Sequence, residues 1–192
     1  MKYFSLLIAL TLSIPLINSC GNACEDVNCV NGDCNEGICD CELGWTGDLC
    51  DEEVEPFSIN VSMMTIEKFN AMDGSREWDN EDDDSKGDIT LRVYDLQNKY
   101  FEPTDLNNQL HENADGSKSL EIPCSFKLRD MRSDVTFEVV DYDFDDNFNV
   151  VFEFIGSVTS KFKDKYQDFP NQIVLESGTG STRIVLDVTY SF

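Results

Sequence analysis

From residue 57 onward, apolar and polar side chains alternate with a period of two. Phe57, Ile59, Val61 and Met63 fall on one side, Ser58, Asn60 and Ser62 on the other. The same phase recurs in Ile89, Leu91 and Val93, in Leu120, Ile122, Cys124, Phe126 and Leu128, and in Val135, Phe137 and Val139. It returns in Val150, Phe152 and Phe154, and finally in Ile184, Leu186, Val188 and Tyr190. Such alternation predicts strands with one face on a core and one face in water. "ADGS" at 114–117 and "ESGTGST" at 176–182 read as turns. No helical period of useful length interrupts the pattern. The expected architecture of residues 57–192 is an antiparallel β-sandwich of about eight strands. Cys124 lies in the core-facing phase, which predicts a buried, inert thiol rather than a reactive one.

The chain ahead of the sandwich is organised differently. Lys2 followed by "YFSLLIALTLSIPLI" has the charge and the short apolar run of an export signal, too short to be a good membrane span. Next comes "INSC", which resembles the bacterial lipobox. The resemblance implies a signal peptide over 1–19, cleavage before Cys20 and lipidation of Cys20, with residues 20–23 as anchor and spacer. An ordinary cleaved signal peptide is the other reading, and export under either makes disulfides permissible.

Eight cysteines stand at 20, 24, 29, 34, 39, 41, 50 and 124. With Cys20 and Cys124 set aside, six remain in "CEDVNCVNGDCNEGICDCELGWTGDLC", and spacing alone leaves fifteen pairings open. The single residue between Cys39 and Cys41, followed by Cys41, Gly44, Trp45, Gly47 and Cys50, resembles the end of an EGF-like module. That resemblance implies Cys24–Cys34, Cys29–Cys39 and Cys41–Cys50 over residues 24–50. A segment this short buries too little apolar surface to fold alone, so crosslinks must constrain its unfolded state. A zinc site wants reduced thiolates and another spacing. Calcium-binding EGF modules carry an acidic motif that "CGNA" before Cys24 lacks, so the module is expected to be a metal-free spacer or contact module. "DEEVEP" at 51–56 reads as a linker.

Charge narrows the partners. The chain has 38 Asp and Glu against 14 Lys and Arg, a net charge of −24. No basic stripe contacts phosphates, which excludes nucleic acid, and direct attraction to anionic lipid is excluded on the same ground. "KFKDK" at 161–165 reads as a solvated face. With 41% hydrophobic residues, including 13 Phe, the chain is also not a disordered acidic polymer. A divalent cation is the natural complement.

The acids gather at predicted strand ends. "WDNEDDDSKGDITLRVYD" precedes and opens one strand, and "VVDYDFDDNFNVVFEFIG" at 139–156 carries Asp141, Asp143, Asp145, Asp146 and Glu153 between two others. In a sandwich, loops distant in sequence meet at one end. This arrangement resembles a C2 domain, whose end loops clamp calcium between carboxylates. Asp82 and Asp88 match the first loop, Asp141 and Asp143 the Asp-x-Asp of the third, and Glu153 the acid before its Phe-Ile-Gly end. The resemblance therefore implies calcium at Asp82, Asp88, Asp141, Asp143 and Glu153. Extra residues separate Asp143 from Glu153, with Asn149 at the position spacing would select, and "DITLRV" lacks the family's Pro-Tyr. The long first loop also offers Asp73, Asp79, Asp83 or Asp84 in place of Asp82. "DYDFDDNFNVVF" is not an EF-hand: Asp146 replaces the turn glycine, Phe152 the bidentate Glu, and strands flank it. The plain alternative is a solvated acidic surface screened by salt.

An enzyme is not expected. His111 is the single histidine and sits in a polar loop, and neither a Gly-x-Ser-x-Gly elbow nor a phosphate loop is present. The expectation is a non-catalytic, calcium-dependent binding or adhesion protein, held to the cell envelope or surface by a lipid anchor. Calcium would bridge it to an anionic lipid, glycan or protein. The alternative is an accessory envelope lipoprotein whose acids are solvated or bind calcium only for rigidity.

Overall fold

The computed structural model describes residues 23–73, 76–77, 87–112, 114–144, 147–166 and 168–192. Residues 1–22, where the export signal and lipidated Cys20 are expected, and Asp79, Asp82, Asp83, Asp84, Asp145 and Asp146 lie outside the described residues. The chain divides into two compact units between Glu53 and Val54.

The first unit is built by crosslinks. Disulfides join Cys24 to Cys34, Cys29 to Cys39 and Cys41 to Cys50, the pairs that the EGF-like resemblance implies. Its apolar residues Val30, Ile38, Leu43 and Leu49 are exposed, so covalent constraint stands in for a core. Strands β1 (Gly32–Asn35) and β2 (Ile38–Cys41) form a hairpin. Glu36 and Gly37 close it with φ of 52° and 88°, the left-handed pair that a tight two-residue turn demands. Strands β3 (Trp45–Thr46) and β4 (Glu52–Glu53) pair across the last disulfide, so Glu52 and Glu53 are strand residues inside the segment expected to be linker.

The second unit is an all-β sandwich of two four-stranded antiparallel sheets. Its elements are β5 (Ser58–Lys68), β6 (Met72–Asp73), β7 (Arg76–Glu77), β8 (Ile89–Tyr94), β9 (Lys99–Phe101), the single-turn helix α1 (Leu106–Gln109), β10 (Leu120–Leu128), β11 (Val135–Phe144), β12 (Val150–Ser160), β13 (Gln172–Glu176) and β14 (Arg183–Ser191). The first sheet runs β10-β5-β14-β13 and the second β12-β11-β8-β9; β6 and β7 form a separate ribbon. The inward phases of both sheets meet in one core. Ile59, Met64, Ile66, Ile89, Leu91, Ile122, Leu128, Phe137, Phe162, Ile184 and Leu186 are all fully buried there.

Two predicted phases need correction. On β5 the inward series is Ile59, Val61, Met64, Ile66: Met63 is half-buried and Phe57 is 61% exposed. The cause is a β-bulge. Between Val61 and Met63 the strand carries one residue more than β14 does between Val188 and Asp187, and the register against β10 shifts between Phe126 and Pro123. An extra residue on one strand moves every later side chain to the opposite face. On β12, Val150 and Phe154 are exposed, at 45% and 57%, and core burial begins only at Ile155. A second bulge lies there, where Val139 pairs with Gly156 but Val140 with Phe154. Cys124 keeps its inward phase at the β10 irregularity. It is half-buried and free, and burial pushes its thiol up to about 12.

Candidate functional site

The inward phase of β11 does not stop at the hydrophobic core. Val135, Phe137 and Val139 are followed, at the same period, by Asp141 and then Asp143, so the strand's own alternation carries two carboxylates into the end of the sandwich. Asp141 is flanked in register by Ile89 of β8 and Glu153 of β12. As a result, Asp141, Asp143 and Glu153 each bring a carboxylate oxygen within 4.8 Å of the others'. Burial falls along the group: Asp141 is 0% exposed, Asp143 is half-buried and Glu153 is exposed. The cluster therefore opens from a buried floor to solvent.

Asp141 is held rigidly. The backbone N–H of Asp88 donates to its Oδ1 at 2.6 Å, and the Asp88 carbonyl accepts from the N–H of Tyr142 at 2.9 Å. Its other oxygen, Oδ2, is buried with no hydrogen-bond partner. A buried carboxylate oxygen without a partner is costly, because the desolvation of that oxygen is not offset. Burial is the main reason its carboxyl is pushed up to about 6; the charge of Asp143 adds to it, the Asp88 amide opposes it, and the charges of Asp88 and Glu153 add smaller upward pushes. Among the described residues, Arg92, Lys99, Arg132 and Arg183 pair with acids other than Asp141, Asp143 and Glu153.

The predicted residues thus fall into three groups. Asp141, Asp143 and Glu153 converge. Asp88 stands beside them, tied to Asp141 through its main chain, with its residue lining an open depression shared with Asn107, His111, Glu112, Tyr142 and Asp143. Asp82 lies outside the described residues; Asp73 is in β6, apart from the two main sheets. Asn107, His111 and Glu112 come from the connection between β9 and β10, which sequence reading passed over as a polar loop. It is docked there by a bridge in which His111 N–H donates to the Ile89 carbonyl and Ile89 N–H to the His111 carbonyl, each at 3.0 Å. No local signal marks that pairing.

The outer face of the same strands is braced by rings. Tyr142 meets both Phe144 and Phe152 edge-on, at 5.5 Å between centroids. The Arg92 guanidinium lies 4.6 Å over the Phe152 ring while Nη1 reaches Glu138 at 3.2 Å. These contacts lock β8, β11 and β12 together behind the acids.

Chemically, the donor set is oxygen only. Carboxylates graded from buried to exposed fit a hard cation, and an unpartnered buried oxygen facing like charges is the arrangement a cation relieves. The chain matches no protein-family model and no curated protein sequence.

Proposed function

We propose that this chain is an exported, non-catalytic binding or adhesion protein that uses calcium at the end of its sandwich. The observation that carries the reading is Asp141: a fully buried carboxylate whose Oδ2 has no partner, beside Asp143 and Glu153. Calcium takes six to eight oxygen ligands in flexible geometry, so it suits a cluster that is part buried and part open; magnesium demands tighter octahedral geometry and sheds water reluctantly. Asp141, Asp143 and Glu153 would supply the floor and wall of the site, with the Asp88 main chain fixing Asp141. Positions toward solvent would remain for water or for an anionic group of a partner. Asp82, predicted from the C2-like pattern, belongs to this proposal as a further ligand.

The three disulfides suit an oxidising compartment. With the apolar N-terminal run and "INSC" they support export, with Cys20 as lipid anchor and residues 24–50 as an EGF-like spacer that holds a C2-like module off the envelope. The functional test is capture of anionic liposomes, glycans and matrix proteins by the full chain, with calcium and with chelator. Chelator-sensitive capture of one class is expected. Capture that ignores chelator, or none at all, would favour the accessory-protein reading.

A further inference from the structure

The four exposed sheet edges of the sandwich are not alike. Strand edges present unpaired backbone groups, and proteins blunt them by shortness, charge, proline or bulges. Strand β9 is only three residues long and begins with Lys99. β13 has five residues and ends in Glu176. β10 carries Pro123, Glu121, Lys127 and a bulge. β12 is different: eleven residues, "VVFEFIGSVTS", with Glu153 as the sole charge, in a chain of net charge −24. Among the described residues it pairs only with β11.

Only half of this edge is open. Beyond the bulge at Ile155, Gly156 lies against the turn between β13 and β14: a methyl group added to it would sit 2.5 Å from Thr182 Oγ1. Before the bulge, Val150–Phe154 faces outward, with Val150, Phe152 and Phe154 on the outer side of the sheet beside Tyr142 and Phe144. Val150, Phe154 and Phe144 are exposed there, Phe144 at 58%.

We propose that Val150–Phe154 is a homodimerisation edge, pairing antiparallel with the same segment of a second copy about a two-fold axis at Phe152. The segment "VVFEF" is self-complementary in that register. On the outer face Val150 stands opposite Phe154 and Phe152 opposite Phe152, all aromatic or β-branched pairs of the kind that stabilise sheets. On the inner face Val151 stands opposite Glu153, so no two acids face each other. Moving the axis to Glu153 would set like charges directly opposite and is disfavoured. A low-charge strip is also where two molecules of this net charge can approach at least cost. Because the remaining surface is acidic, screening by salt strengthens the association, the reverse of an interface held by ion pairs.

Sedimentation of the purified full chain over a concentration series tests this. A monomer–dimer equilibrium that tightens with added salt is expected. Phe154→Lys, at an exposed position that leaves the core intact, is expected to raise the dimer dissociation constant by about tenfold or more. Phe148→Lys, at the exposed hairpin tip off the strand, is expected to leave it unchanged. Register has its own readout: under oxidising conditions, Val150→Cys copies mixed with Phe154→Cys copies should crosslink, and neither variant alone should. A monomer at every concentration, a dimer insensitive to Phe154→Lys, or one that weakens with salt overturns the proposal.

Discussion

Asp141 concentrates the physics of this molecule in one side chain. Its carboxyl titrates near 6 in the folded protein and near the ordinary Asp value when unfolded. Between those values the native state holds more protons, so without metal the folded form loses stability as pH rises through that window and regains it as pH falls. The full effect amounts to about 3 kcal/mol at most. Asp141→Asn keeps an oxygen for the Asp88 N–H and replaces the unpartnered Oδ2 with a donor facing carboxylates. In chelator at neutral pH this variant is expected to melt several degrees above the wild type, and the advantage should vanish at pH 4. Thermal melts at the two pH values check it; a variant less stable than wild type in neutral chelator would show that Oδ2 carries no penalty.

Among the elements, alternation placed six of the eight strands of the two sheets, because burying one face of a pleated strand imposes period two whatever the neighbours do. It placed neither the short edge strands β9 and β13 nor the bulges. On β5 the slip falls at Ser62, just ahead of two methionines, Met63 and Met64, so either phase looks apolar and the sequence is silent on which side chain turns inward. On β12 the apolar residues Val150 and Phe154 continue the pattern of a core strand, although they lie on the outer face of an edge. The acids follow the same logic. Asp141 and Asp143 were legible because they sit on a strand whose period continues from the core. Glu153 was legible only from its place before the Phe-Ile-Gly end, because the β12 bulge breaks the phase between it and the core. Asn107 and Glu112 were not, because their approach depends on the His111–Ile89 bridge, a contact across the fold. The β5 bulge has a direct consequence. Met64→Ala, emptying a fully buried site, is expected to cost about 2–5 kcal/mol, while Met63→Ala should cost less than about 1 kcal/mol. Denaturant unfolding of the two variants decides it, and equal costs would restore the unbroken phase.

For the whole molecule, two units are stabilised by different means. The first has disulfides in place of a core; the second has a core and one free cysteine whose thiol is held protonated by burial. Reductant is therefore expected to unfold residues 24–50 while leaving the melting transition of the sandwich in place, each lost bridge costing the first unit about 2–5 kcal/mol. Proteolysis with and without reductant reads this directly: new cleavage should be confined to the first unit. The acidic balance of the chain gives the second unit its other dependence. If calcium binds only the folded form, it stabilises by mass action. With the dissociation constant of roughly 10⁻⁴ to 10⁻³ M typical of extracellular modules, a tenfold excess over that constant contributes about 1.4 kcal/mol.

The most direct test is calorimetric titration of the full chain with calcium, beside Asp141→Asn and beside magnesium. Saturable calcium binding in that concentration range, weaker magnesium binding, and loss of the calcium signal in Asp141→Asn with the β-fold intact are expected. Absence of saturable calcium binding, or an Asp141→Asn titration that matches the wild type, would contradict calcium binding at Asp141 and leave the acids as a solvated surface.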